Sequence, residues 1–132
     1  MSKLLLHYGI VFVVFFAIDL VWLGVIAKNL YAKHLGYLMA PSVNWIAAVL
    51  FYLLFILGLL VFVVEPALVK QNLAELILMA ALFGLVTYAT YDLTNLATVK
   101  DWPVIITLID LAWGMSLSVL VSTISYFILR LL

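Results

Sequence analysis

LLLHYGIVFVVFFAIDLVWLGVIA, residues 4–27, is the stretch on which the fold is decided. It exceeds the roughly 20 mostly apolar residues that a membrane-spanning helix needs. A secretory leader would have a shorter apolar core and a small-residue cleavage site. This run also carries Asp19 and Trp22, for which a removable leader has no use. It is read as a retained spanning helix.

Working outward, three more segments qualify by the same test: residues 43–64, 73–98 and 103–129. Pro41, Pro66 and Pro103 fall at segment edges, where a missing N–H costs a helix least. Each is expected to mark a boundary and none to interrupt a span. The predicted architecture is all-α: a single domain over residues 1–132, built as an antiparallel bundle of four transmembrane helices. Composition agrees. Of the 132 residues, 70% are hydrophobic and 9% charged, where ordinary soluble chains are about a quarter charged, and the mean hydropathy is +1.38. A lipid bilayer must therefore surround most of the surface.

Residues 65–72 and 99–102 are short connections, so the helices they join are antiparallel neighbours. The first connection is longer and reads KNLYAKHLGYLMAPS, residues 28–42. Leu30, Tyr31, His34, Leu35 and Leu38 recur at helical spacing, which predicts a short amphipathic helix at the membrane surface. Four crossings put both termini on one face, side A. Lys3, Lys70 and Arg130 belong to side A, and Lys28, Lys33 and Lys100 to side B. The positive-inside rule counts such residues, and three against three leaves orientation open.

Asp19, Asp92 and Asp110 lie within the spans. An acid there costs about 2.5–3.5 kcal/mol on insertion scales. At about 1.5 Å rise per residue, all three fall roughly 5–10 Å from the bilayer centre, on side B. Other polar groups share that layer. Tyr88, Asp92 and Asn95 follow i, i+4, i+7 spacing on one helix face, and Asn44 opens the second helix. Thr107, Asp110 and Gly114 share a face of the fourth. Trp22, Trp45 and Trp102 fit an interfacial aromatic belt, whereas Trp113 lies deeper, one turn from Asp110. The A half is nearly featureless. The expected site is a pocket open toward B, with Asp19, Trp22, Asn44, Tyr88, Asp92, Asn95, Asp110 and Trp113 as its ligand-binding residues. The second helix, offering only Asn44 and Trp45 there, reads as scaffold.

The spans hold no Lys or Arg to neutralise these acids. Three states are open: the acids carry protons, a cation sits among them, or neighbouring Tyr, Trp, Asn and Thr donate hydrogen bonds to them. Asp19, Asp92 and Asp110, with Asn95, would suit a hard metal ion chemically, although no single-helix spacing forms a metal motif. No cysteine is present, which excludes thiolate metal sites and thioether-bound haem. His7 and His34 lie at opposite faces and cannot share a haem iron. No cofactor is otherwise identified. Zero net charge offers no field for nucleic acid. The small residues Gly114, Ser118 and Ser122, and Ala80 and Gly84, favour close helix packing. The first set is also a candidate homodimer face.

The motif Asp-Leu recurs as IDLVWLG (18–24), YDLTNLA (91–97) and IDLAWGM (109–115). The first two copies lie on helices of the same direction, which hints at a parallel repeat of two hairpins. These strings, with the adjoining TVKDWP, resemble a family of small bacterial inner-membrane proteins classed as a domain of unknown function. The matching positions are Asp19, Trp22, Leu23 and Gly24; Tyr91, Asp92, Thr94, Asn95, Lys100, Trp102 and Pro103; and Asp110, Trp113 and Gly114. The resemblance covers nearly the whole chain. It implies a four-helix unit in a bacterial inner membrane and supplies no reaction. From the residues, three functions compete. The first is a pocket for a cation or small polar ligand, as in a proton-coupled transporter. The second is a lipid-modifying enzyme using the carboxylates as metal holders or acid and base. The third is a non-catalytic membrane partner subunit.

Overall fold

A computed structural model describes residues 2–132. The first span is α1 (Ser2–Val21), prolonged by a π-helical turn over Trp22–Ile26. The amide of Ala27 closes that turn on the carbonyl of Trp22 at 2.7 Å. The amphipathic segment α2 (Lys28–Leu35) follows at once. The second span runs through α3 (Trp45–Leu59), a second π-helical turn (Leu60–Val64) and α4 (Glu65–Lys70). The third is α5 (Leu73–Thr98) and the fourth α6 (Val104–Leu131). These runs are 25, 26, 26 and 28 residues long, each more than the roughly 20 that a bilayer core requires. The protein is an integral membrane protein of four spanning helices.

The expected end of the second helix at residue 64 is corrected to Lys70, and Pro66 does not mark a boundary. A proline inside an α-helix removes a hydrogen bond and presses on the preceding turn. Here the wider π-helical turn comes just before it, with the Glu65 amide reaching back to the Leu60 carbonyl. Pro66 then occupies the first turn of α4, where its missing amide is tolerated. The real reversal is two residues long. Gln71 takes a left-handed conformation at φ 54°, and the Asn72 side chain accepts from the Glu75 amide at 3.1 Å. Lys70 pairs with Glu75 at 2.7 Å on the same face. Pro41 and Pro103 do lie outside helices, Pro103 immediately before α6.

Helix α6 is the axis of the bundle. Its buried face runs almost its full length, from Ile106 through Asp110, Gly114, Ser118, Ser122 and Ser125 to Leu129. It packs most extensively on α5 and next on α1. The A half of the bundle is an apolar core of Val11, Phe15, Phe55, Ile56, Leu59, Leu60, Leu117 and Val121. It is less featureless than its hydropathy implies: buried His7 of α1 is paired through Nδ1 with Glu65 of α4, which ties the first two spans near side A. Outward-facing residues such as Leu5, Ile46, Leu54 and Leu78 are exposed. A chain this apolar keeps them in contact with lipid.

The small-residue faces are used inside the chain. An added Cβ on Gly84 would strike the Gly114 carbonyl and lie 2.7 Å from the Ser118 hydroxyl. The α5 and α6 backbones touch there, as small-xxx-small packing allows. Gly114 and Ser118 are buried in this contact, and Ser122 is buried on the same face of α6. The expectation that they form a homodimer face is therefore corrected: a residue buried within its own chain is not available to another copy.

Candidate functional site

On side B the helices diverge around a cavity of ≈ 500 Å³. All three intramembrane aspartates line it, each delivered by a different element. Asp19 comes from the last turn of α1, Asp92 from the B-side half of α5, and Asp110 from the second turn of α6. Trp22, Tyr88 and Trp113 also line it. Six of the eight expected pocket residues thus converge. The other two do not line the cavity. Asn44 caps α3, accepting from the Ala47 amide at 3.1 Å, and is exposed. Asn95 lies beside Tyr91 rather than on the wall.

The second span is more than scaffold. Its α3 sends Phe51 and Tyr52 into the cavity wall, and Tyr52 rests on Phe15 and Phe16 of α1 at ring distances of 5.7 and 5.3 Å. These residues sit in an unbroken apolar run, AAVLFYLLF. The one signal that might have found them is the phenol of Tyr52, a polar tip in a stretch with no other.

The tryptophans also divide differently. Trp45 is 70% exposed, as a belt residue should be. Trp102 is buried, donates its indole N–H to Thr107 Oγ1 at 3.0 Å and meets Tyr91 edge-on. The belt reading is corrected for Trp102: it clamps the start of α6 to α5. Trp22 stacks flat on Trp113, with centroids 4.3 Å apart and planes within 9°. The first and third Asp-Leu copies, on oppositely directed helices, thus meet through these rings, and the second and third meet through Asp92 and Asp110.

The carboxylates have unequal surroundings. Asp19 has the indole N–H of Trp113 and the hydroxyl of Tyr52 beside it. Asp110 accepts from the Tyr31 hydroxyl. Asp92 is fully buried and lies within hydrogen-bond reach of the Asp110 carboxyl, with which it can share one proton; no other side chain among the described residues donates to it. No Lys, Arg or His belongs to the cavity wall. The acids do not gather as a metal cage either: among the described residues, no group of three His, Cys, Asp or Glu could hold a metal ion. That is the spatial result for the metal candidates Asp19, Asp92 and Asp110.

The amphipathic connection lies across this cavity. Tyr31 and Leu35 of α2 are part of its lining. Burial, and then the hydrogen bond to Asp110, push the Tyr31 phenol well above the usual tyrosine range, so it stays a donor throughout physiological pH. One turn beyond α2, the Tyr37 hydroxyl donates to the backbone carbonyl of Asp101 in the α5–α6 turn. Two phenols therefore fasten the α2 segment to the fourth span and to the turn that precedes it. Tyr31→Phe is expected to remove one fastening at a cost of about 0.5–1.5 kcal/mol. Amide exchange should quicken over residues 28–35 and not in α5 or α6. Unchanged exchange in α2 would mean that the bond to Asp110 holds nothing.

No curated protein and no solved structure matches this chain. The family model described as "Predicted membrane protein (DUF2177)" matches residues 4–127. That match covers nearly the whole length of this four-span chain, and the chain belongs to that family.

Proposed function

We propose that this protein binds a cation in its B-side intramembrane cavity, and that it does so in a bacterial inner membrane, as its resemblance to small inner-membrane proteins implies. The observation that carries the reading is Asp92. A carboxyl group removed from water without hydrogen-bond partners is costly, and intramembrane acids usually mark ion or proton pathways. Here the buried acid is paired with a second acid, Asp110, on a cavity wall that also carries Asp19 and, among the described residues, no basic side chain. A proton shared between Asp92 and Asp110 still leaves the cluster negative, and a bound cation balances the rest. Three acids that exchange a cation for protons would also suit a proton-coupled transporter.

The test is cation binding to purified protein in nanodiscs, measured calorimetrically for K⁺, Mg²⁺ and small ammonium ions. Asp19→Asn, Asp92→Asn and Asp110→Asn are each expected to weaken binding about tenfold or more, the loss of one charge-assisted contact of about 1.5–3 kcal/mol. Wild-type affinity in all three variants would make the acids structural and end this reading.

A further inference from the structure

The aromatic walls of the cavity are the part of the site that a bare charge does not require. A hard metal ion takes six or more oxygen ligands in a tight shell. The described residues bring no three acids together for one, and the cavity of ≈ 500 Å³ is of the size that holds small organic molecules. More than half of its lining residues are aromatic. The stacked pair Trp22 and Trp113 faces the same space as Tyr31, Tyr52 and Tyr88. Ring faces attract a cation through their quadrupole, more strongly once water is excluded. They also cover apolar substituents that a hydrated metal ion does not have. At the buried end, the only side chain within hydrogen-bond reach of Asp92 among the described residues is another acid, Asp110, and an ammonium N–H is a donor that such a pair would accept.

We propose that the ligand is a protonated organic amine carrying apolar substituents. Its N–H points to Asp92, and its substituents lie against the Trp22–Trp113 pair. This rests on the cation reading above and narrows it to a substrate class. It also assigns Trp22 and Trp113 a role in recognition that the acids alone cannot fill.

The probe is triethylammonium, titrated into the full chain in nanodiscs beside K⁺ and Mg²⁺. The expected result is saturable triethylammonium binding that the inorganic ions do not match. Trp113→Leu should weaken it about tenfold, and Trp113→Phe, which keeps a ring face, should weaken it less. A thermal melt of each variant checks that it folds. If Trp113→Leu does not fold, Trp22→Leu and Trp22→Phe form the same comparison from the α1 side. If K⁺ or Mg²⁺ binds through the aspartates and triethylammonium does not, the amine proposal is overturned and the cation reading stands. Binding of triethylammonium that ignores both tryptophans also overturns it. If no cation binds, the broader reading has failed first.

Discussion

Gly84→Leu is expected to prevent the third and fourth spans from packing and to leave little folded protein. The reason is the crossing of α5 and α6. Even a single Cβ at Gly84 would run into the backbone carbonyl of Gly114, an atom that no rotamer change can move aside. Gly84→Ala should cost about 1–3 kcal/mol, the usual range for overpacking, and leucine several atoms more than that contact admits. Gly9 is the control, because a Cβ there meets nothing within 4 Å. Gly9→Leu should be close to neutral. Gel filtration and thermal melting in detergent compare the two, and a Gly84→Leu variant as stable as Gly9→Leu would refute the close crossing. Gly114→Ala is a different case. Its Cβ would press on the Tyr88 ring, so the strain would be passed into the cavity wall and should show in ligand binding as well as stability.

Asp92→Leu is expected to raise stability while abolishing cation binding. A structural acid, fixed by hydrogen bonds, destabilises a protein when replaced. Asp92 has only the like-charged Asp110 carboxyl as a partner, so replacing it removes a buried acid from an acid pair, a group whose burial costs about 1–3 kcal/mol. Gains of this kind at a functional position are a common form of stability–function trade-off. The melting temperature of the ligand-free variant should therefore rise, and calorimetric binding should vanish. A fall in melting temperature would identify Asp92 as part of the packing and remove the chief support for a cation site.

The same contrast marks how far the chain could be read before its structure. The spans and the depth of Asp19, Asp92 and Asp110 are local properties, carried by windows of about 20 residues and a fixed rise per residue. Tyr52 was hidden because hydropathy assigns an apolar run to the membrane without saying which ring faces inward. Asn44 was misplaced because an asparagine at a helix start is equally a cap and a pocket group. The two π-helical turns have no sequence signal in Val- and Leu-rich stretches, and with them Pro66 changes from a boundary to an interior residue.

By itself the sequence determined that the protein lives in a bilayer, crosses it four times and carries three acids at one level of side B, because the cost of water and lipid contact is summed residue by residue. Only the tertiary structure decided that those acids share one cavity, that Trp22 stacks on Trp113, that α2 is fastened to Asp110 at the cavity wall, and that the Gly114, Ser118 and Ser122 face is buried within the chain. Each of these depends on the rotation of one helix about its axis relative to another. That rotation is set by side chains meeting across the bundle, which no segment of sequence contains alone.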